Sequence, residues 1–327
     1  MDFWLLLIQF VALLIIGFLA LVLVSALLPI DIHKLTSHPR PARSYDQALQ
    51  RIEVIRASAS AGLNPACLLQ LMTRGQKVER AIVFAHGYTS CPKQFQALGE
   101  AFYALGYNVL IAPLPHHGLA DRLTPEQSHL TAIELAEYAD TIVDIAQGLG
   151  ERVILAGISG GGIVTAWAAQ HRIDLYLAVL IAPAFGFGPI PTPVTDPAIK
   201  LFRWLPNFYK WWDSKLKEAV GPAYAYPRTA TRALVQILYL GYAVRVAARR
   251  DPPAARAVLV VTNANDTSVN NALTSQVVDL WQGRGAKNLR TFEFDANLRL
   301  GHDLIDPSQP DQRTEIVYPR LIELINS

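Results

Sequence analysis

The sequence predicts an α/β fold in which a largely parallel sheet is covered by helices on both faces. Short runs rich in Val, Ile, Leu and Phe alternate with longer segments whose apolar residues recur at helical spacing. The short runs are apolar throughout, as expected of strands buried on both faces. The predicted strands are 80–86, 108–112, 152–156, 175–181, 257–261 and 290–294. The predicted helices are 95–105, 128–149, 160–170, 270–282 and 318–325. Ligands of such sheets bind beyond the carboxyl ends of the strands.

We interpret residues 1–30 as a transmembrane anchor. The stretch from Phe3 to Leu28 is almost uninterrupted apolar sequence, and as a helix it would be about 39 Å long, enough to cross a bilayer. A cleaved signal peptide is the alternative, but a basic start and a small-residue cleavage site are missing. Lys34, Arg40 and Arg43 follow the segment. The positive-inside rule therefore favours the cytoplasmic face for the rest of the chain, although long domains can translocate despite such charges, so the side stays open.

Residues 31–79 are expected to form a polar linker and an N-terminal helix/strand segment, with a short amphipathic helix at 45–61. The whole chain has 327 residues, 51% of them hydrophobic, and a net charge of +2. That composition fits one large core, and without a basic stripe or a nucleic-acid motif we expect no DNA or RNA partner. Cys67 and Cys91 allow at most one internal bridge, and free buried thiols are the expected state.

The two halves of the predicted core, 80–183 and 257–327, are separated by an irregular insertion, 184–256. It holds 12 of the chain's 30 aromatic residues, and 11 Lys and Arg against four Asp and Glu. An insertion at the strand ends can shield a reaction from water and offer an apolar wall to an acyl chain. We therefore interpret it as a cap, with ordinary packing of aromatic residues as the alternative.

The most informative motif is the pentapeptide Gly157-Ile158-Ser159-Gly160-Gly161, which lies between a predicted strand and a predicted helix. A sharp turn in this position exposes the central serine above the sheet and needs small neighbours. Ser159 is thus a candidate nucleophile. The backbone N–H of Gly160, at the start of the helix, is a candidate donor to the oxyanion that forms when the nucleophile attacks a carbonyl.

A serine nucleophile needs a base and a residue that orients the base, and both candidates follow in the chain. Asp266 comes after a predicted strand, and His302 comes after the next one. The order Ser, Asp, His is one of three known orders of this triad. His302 would take the serine proton, and Asp266 would hold the imidazole tautomer. Asp295 and Asp303 are close enough in sequence to compete with Asp266.

The second oxyanion donor is expected from the loop after the first core strand, where Gly87 allows a close backbone approach and the N–H of Tyr88 would lie beside that of Gly160. A metal centre would have to use the histidines His86, His116, His117 and His129. No H-E-x-x-H motif or Cys/His spacing accompanies them. We therefore predict no metal site.

On these motifs the sequence resembles the α/β-hydrolase superfamily, in the branch of bacterial carboxylesterases, monoacylglycerol lipases and serine aminopeptidase-like enzymes. The resemblance runs from about residue 80 to 325 and includes 86–90, 106–109, 114–118, 265–269 and 301–302. It implies an α/β-hydrolase fold, a covalent acyl-enzyme, no cofactor, a catalytic triad of Ser159, Asp266 and His302, and an oxyanion hole from Tyr88 and Gly160. Many members carry a larger residue than Gly160 after the serine, so extra room or mobility is expected there.

The expected function is hydrolysis of carboxylic esters with a medium-chain acyl group, or of monoacylglycerols, by a membrane-anchored enzyme. The superfamily hosts many activities on one fold. An amidase, aminopeptidase or thioesterase is the enzymatic alternative, and a peptidase would need carboxylates near the pocket to bind a substrate ammonium. A membrane-tethered binding module is the non-enzymatic alternative. The oligomeric state is not predicted.

Overall fold

The computed structural model describes residues 3–27, 30–58 and 62–327. The α-helices are α1 (Phe3–Leu27), α2 (Tyr45–Ala57), α3 (Gln96–Ala104), α4 (Ala132–Leu149), α5 (Gly160–His171), α6 (Thr192–Phe202), α7 (Thr231–Ala248), α8 (Asn271–Gly283) and α9 (Thr314–Asn326). The β-strands are β1 (Gln70–Met72), β2 (Val78–Ala85), β3 (Asn108–Ala112), β4 (Gly150–Ile158), β5 (Leu177–Ile181), β6 (Tyr209–Trp211), β7 (Arg228–Ala230), β8 (Val258–Asn263) and β9 (Leu289–Phe294).

The central sheet has seven strands in the order β1-β3-β2-β4-β5-β8-β9, and every pairing is parallel except that of β1 with β3. All residues of β3 and β5 are buried, as expected where helices cover both faces. The chain moves from β2 to β3 on one side and then returns to place β4 on the other side of β2. The carboxyl ends of β2 and β4 therefore flank the point where the strand order reverses, which is where open α/β sheets bind ligands. The predicted fold class is confirmed.

Each predicted strand of the core is present, with ends that differ by a few residues. Strand β1 lies in the segment 31–79, where the sequence predicts an N-terminal helix or strand but gives no bounds for a strand, because its three residues carry no periodic pattern. Helix α4 begins at Ala132 and not at residue 128, because Thr131 and Glu134 form a capping box that fixes its start. Helix α2 ends at Ala57, and residues 59–61 of the predicted helix lie outside the described residues.

The insertion 184–256 contains more regular structure than its composition predicts. It holds α6, the small antiparallel pair β6 and β7, and the 18-residue helix α7. Helix α7 is largely buried and packs against α5 and α4. Because α7 is buried on most sides, apolar residues occur around the whole helix. Its sequence therefore lacks the one-sided apolar pattern that predicts an amphipathic surface helix. Whether the insertion acts as a cap stays a prediction.

The predicted anchor is not supported. A helix does run from Phe3 to Leu27, and residues 1, 2, 28 and 29 of the predicted segment lie outside the described residues. Among the residues that the structure describes, no helix is found to be both long and apolar enough to span a membrane.

A buried ion cluster ties the N-terminal segment to the core. Arg172, just after α5, has no exposed side-chain surface, and its guanidinium contacts Asp140 at 3.1 Å, Asp144 at 2.6 Å and Asp174 at 2.8 Å. Asp140 and Asp144 also accept hydrogen bonds from the backbone N–H groups of His38 and of residue 40. A buried guanidinium with fewer carboxylates would be costly, and so would the carboxylates without it. The cluster therefore holds three chain segments together.

The expectation that the two cysteines are free thiols is wrong, because they form a disulfide. Cys67 and Cys91 are fully buried and their Cα atoms are 5.2 Å apart, which lies within the range for a bridge. Tyr224 of the insertion packs against the pair. The bond fixes the segment after the Tyr88 loop to the segment before β1. A spacing of 24 residues along the chain does not reveal this proximity.

Candidate active site

Ser159 lies at the turn between β4 and α5, with φ 56° and ψ −113°. A residue other than glycine rarely takes a positive φ, and the strain of about 1–3 kcal/mol is a common feature of catalytic turns. The turn is held by Ile181, whose carbonyl accepts from the Ser159 N–H at 3.0 Å. A side chain on Gly161 would overlap the backbone carbonyl of Ala85 in β2, so only glycine lets α5 start this close to the sheet.

Two backbone N–H groups lie beside Ser159. That of Gly160 is in the first turn of α5, where no helical acceptor exists. That of Tyr88 lies in the loop after β2, and a Cβ built on Gly160 would be 3.4 Å from the Tyr88 nitrogen. Within residues 62–327, neither group donates to a protein acceptor. Both are therefore available to an oxyanion, at the positions that the sequence predicted for the hole.

The expectation of extra room at Gly160 is wrong. A Cβ there would lie 3.3 Å from Cδ1 of Ile237 on α7 and 3.4 Å from Cβ of Tyr88. Ile237 of the insertion and Tyr88 of the loop after β2 fill the space that a larger side chain at position 160 would need. The glycine thus matches a close approach of α7 and not a wider acyl pocket.

Asp266 and His302 form a close pair. The Asp266 carboxylate follows β8, has no exposed surface, and lies 2.7 Å from Nδ1 of His302. Its other oxygen accepts from the N–H groups of Ser268 at 2.8 Å and Val269 at 3.2 Å. An ionised carboxylate can only accept, so Nδ1 carries the proton and the lone pair is on Nε2. Asp295 caps a turn instead, accepting from the N–H of Asn297.

The pair shifts the pKa of both groups in the direction expected of a base and its orienting partner. Burial alone would raise the pKa of Asp266, but the hydrogen bond and charge of His302, with the two N–H donors, outweigh it and lower the pKa. Burial alone would lower the pKa of His302, but its hydrogen bond to Asp266 and the charges of Asp266 and Asp303 raise it. The imidazolium is therefore favoured when His302 takes up a proton.

A pocket of about 300 Å³ is lined by Tyr88, Ser159, Gly160 and His302 together. The structure thus brings four of the five predicted site residues to one cavity, with Asp266 behind His302. In the described part of the chain, the Ser159 hydroxyl makes no hydrogen bond, and such bonds often tighten only when substrate is bound. Apolar side chains from both the core and the insertion complete the lining, among them Ile158, Phe187, Trp212, Leu234 and Ile237.

Sequence motifs did not identify the side chains that hydrogen-bond to the loop after β2, which carries Gly87 and Tyr88. Buried Gln94 accepts from the Gly87 N–H at 2.7 Å and donates to Asp303 at 2.8 Å, so it joins this loop to the one that carries His302. Gln127 accepts from the Tyr88 hydroxyl at 2.5 Å. Both glutamines lie outside any motif. Each has a charged neighbour in the chain, Lys93 and Glu126, so no sequence signal marks either glutamine as buried.

Of the four histidines considered for a metal centre, two brace this loop. His86 accepts from the Leu114 N–H at 2.9 Å and contacts the Gly87 carbonyl at 2.9 Å, and it is fully buried. His117 lies 2.7 Å from the Pro115 carbonyl and accepts from the N–H of residue 89 at 3.3 Å. A neutral imidazole serves both roles, one nitrogen donating and the other accepting. The other two, His116 and His129, lie apart from the pocket.

Comparison with known proteins agrees with this architecture. Residues 82–315 match the alpha/beta hydrolase family. Over 169 residues the chain is 27% identical to a thermostable monoacylglycerol lipase of Bacillus sp. (strain H-257), covering 49% of this chain and 60% of that protein. Over 114 residues it is 28% identical to a pyrethroid hydrolase of Sphingobium wenxiniae, covering 35% of this chain and 39% of that protein. The chain thus spans less than two thirds of either relative.

Solved structures show the same fold. A monoacylglycerol lipase of Paleococcus ferrophilus has a TM-score of 0.60 at 17% identity, with 79% of this chain and 97% of that one covered. A structure from a report on LipS and LipT, two metagenome-derived lipolytic enzymes, has a TM-score of 0.59 at 19% identity, with 81% and 99% covered. The family match covers most of the chain, including the strand ends that carry Ser159 and Asp266 and the loop of His302. The chain therefore belongs to the alpha/beta hydrolase family.

Proposed function

We propose that this protein is a serine hydrolase that cleaves carboxylic esters through an acyl-enzyme on Ser159. One observation carries the proposal. The strained turn at Ser159, the His302 ring with Asp266 behind it, and two backbone N–H groups without protein acceptors all lie at one pocket. His302 takes the Ser159 proton as the hydroxyl attacks the ester carbonyl, and then gives it to the leaving alcohol. The N–H groups of Tyr88 and Gly160 stabilise the oxyanion. Water, activated by the same imidazole, releases the acid.

The pocket supports a substrate with one acyl chain of medium length, such as a monoacylglycerol. Its volume of about 300 Å³ lies at the small end of ligand pockets, which extend to about 1,000 Å³. The apolar wall from Ile158, Phe187 and Ile237 suits an aliphatic chain. The curated relative that acts on monoacylglycerols, by its name, supports the same class.

A fluorophosphonate probe tests the serine chemistry. Wild-type protein is expected to take up one probe per chain, and Ser159→Ala none. Ser90→Ala is the matched control, because Ser90 lines the same pocket and should not affect labelling. Loss of labelling in both variants, or no labelling of folded wild-type protein, contradicts the proposal.

A series of p-nitrophenyl esters from acetate to palmitate tests the acyl class. Octanoate is expected to have the highest kcat/KM, because shorter chains leave the apolar wall uncovered and longer ones exceed the cavity. A maximum at acetate would refute the medium-chain substrate and leave the serine mechanism standing.

A second candidate, hydrolysis of aminoacyl amides, is favoured by one observation. Asp303 and Asp311 line the pocket, although the insertion is poor in acidic residues. Asp303 already accepts from two glutamine amides, Gln94 and Gln309, whereas Asp311 is exposed and available for a substrate ammonium. Turnover of an aminoacyl p-nitroanilide that falls in Asp311→Asn, with ester turnover unchanged, would establish this activity.

A further inference from the structure

A cluster of metal-ligating side chains lies outside the reaction pocket. His116 belongs to the loop after β3, and Glu126 and His129 belong to the single 3-10 turn Glu126–His129 before α4. Each offers one ligand atom, and the three atoms lie within 4.8 Å of one another. None of the three residues lines the pocket that holds Ser159.

The distances fit metal ligands better than hydrogen bonds. Oε2 of Glu126 is 3.4 Å from Nδ1 of His116 and 3.3 Å from Nδ1 of His129. Charge-assisted hydrogen bonds between such groups are shorter, about 2.8 Å. In a tetrahedral zinc site with bonds of about 2.05 Å, neighbouring ligand atoms are about 3.3 Å apart. The two imidazole ligand atoms lie within 4.8 Å of each other, and 58% of the His129 side chain is exposed, which leaves room for its ring to adjust on binding an ion.

A fourth residue orients the first ligand. Nε2 of His116 is 3.0 Å from Oε1 of Glu134. The other oxygen of Glu134 accepts from the N–H and the hydroxyl of Thr131, at 2.9 and 2.7 Å, in the capping box of α4. A carboxylate held in this way keeps the His116 proton on Nε2 and leaves Nδ1 as a lone pair. This carboxylate–histidine arrangement is the usual support of a metal-bound imidazole.

We propose that His116, Glu126 and His129 bind a divalent transition-metal ion, with Zn²⁺ the best match to two imidazoles and one carboxylate. Solvent supplies the fourth ligand, because Glu126 is 46% exposed and His129 more so. The sequence predicted no metal site, since these ligands follow no known spacing. The proposal does not depend on the proposed hydrolase function.

The ion would have a structural role. It would join the loop after β3 to the turn Glu126–His129. Gln127 of that turn accepts from the Tyr88 hydroxyl and donates to the carbonyl of Arg228 in β7. Binding would therefore stabilise the contact of this turn with β7 of the insertion and with the Tyr88 side chain. The ion would take no part in the proposed reaction at Ser159.

Calorimetric titration of untagged, chelator-treated protein with Zn²⁺ tests the site. We expect saturable binding of one ion per chain and a higher melting temperature with Zn²⁺, but not with Mg²⁺, which prefers oxygen ligands. His129→Gln and Glu126→Gln should each weaken binding by about 100-fold or more, and Glu134→Gln by roughly 10–100-fold. Glutamine at 134 still serves the capping box, so that variant isolates the support of His116. His33 is an exposed histidine outside the cluster, so the control variant His33→Gln should bind Zn²⁺ with the affinity of wild type.

Zinc-edge X-ray absorption of the loaded protein should show two imidazole ligands. No saturable binding, or equal affinity in wild type, His129→Gln and Glu126→Gln, overturns the proposal. Fluorophosphonate labelling of Ser159 in the metal-free protein is the independent readout of the hydrolase. It should persist, so failure of the metal site and failure of the proposed function can be told apart.

Discussion

The buried imidazole of His86 makes stability depend on pH in a way that one substitution can reveal. Burial is the main cause and the neighbouring His117 the second, and together they outweigh the raising effect of the Gly87 carbonyl and lower the pKa of His86 to about 3. Protonation would also remove the acceptor for the Leu114 N–H. The folded protein therefore keeps this ring neutral at pH values where an unfolded histidine is charged.

The sign follows from the lowered pKa. A folded-state pKa below the unfolded value gives stability that is present above pH 6.5 and is lost as the pH falls from there toward about 3. Between pH 7 and pH 5, the unfolded state takes up about 0.7 proton that the folded state does not. The free energy of unfolding should fall by about 2 kcal/mol from this residue alone. That is a large part of a typical total of about 5–15 kcal/mol.

Urea unfolding at pH 7 and pH 5 measures the effect. Other titrating groups contribute to both wild type and His86→Gln, so the difference between the two proteins isolates His86. We expect His86→Gln to be less stable at pH 7, and its loss between pH 7 and pH 5 to be smaller by about 2 kcal/mol. His33→Gln, at an exposed position, is the control and should retain the wild-type loss.

The same loss in His86→Gln as in wild type would refute this reasoning. If His86→Gln does not fold, NMR of the wild-type ring decides the matter instead. A ring that stays neutral at pH 5 supports the argument, and a ring that titrates near pH 6.5 contradicts it.

Four further predictions follow from the contacts described above. The Asp266 carboxylate raises the pKa of His302 above the ordinary 6.5, and a general base must be neutral to act. The acidic limb of the pH profile of kcat/KM for a soluble ester should therefore have its midpoint above pH 6.5. A midpoint below that value contradicts the assignment of His302 as the base. Gly161→Ala should lower the free energy of unfolding by more than about 4 kcal/mol or prevent folding. Gly283 has open space around it, so Gly283→Ala should change the free energy of unfolding by less than about 0.5 kcal/mol. Similar effects of the two substitutions would exclude the close approach of α5 to β2 at Gly161. Arg172→Met should cost about 3–5 kcal/mol in urea unfolding, and a loss under about 1 kcal/mol would mean that the ion cluster is dispensable. Closing a loop of 24 residues, the disulfide should contribute about 3.5 kcal/mol, so Cys67→Ser and reduction of wild type should lower stability equally; two titratable thiols in unreduced, unfolded protein would rule the bond out.

Local sequence was enough to predict the fold class, the core strands and the serine turn. Strands buried on both faces must be apolar at every position, and a serine on a sharp turn needs glycines around it, so both leave a record in consecutive residues. The chain order of Ser159, Asp266 and His302 predicted which residues would meet, and the structure brings Asp266 and His302 into contact. Their catalytic roles stay predictions until the labelling experiment is done.

The tertiary structure decided what depends on contacts between distant segments. The bond between Cys67 and Cys91, the bridge from Gln94 to Asp303 and the filling of the space at Gly160 by Ile237 all join residues that no short pattern connects. The candidate metal cluster is of this kind too, because its ligands converge only when the loop after β3 meets the turn before α4. Hydropathy alone predicted a membrane anchor that the described helices do not support. A pattern along the chain reports which faces are apolar, whereas the partner of a polar or small side chain is set by how the elements pack.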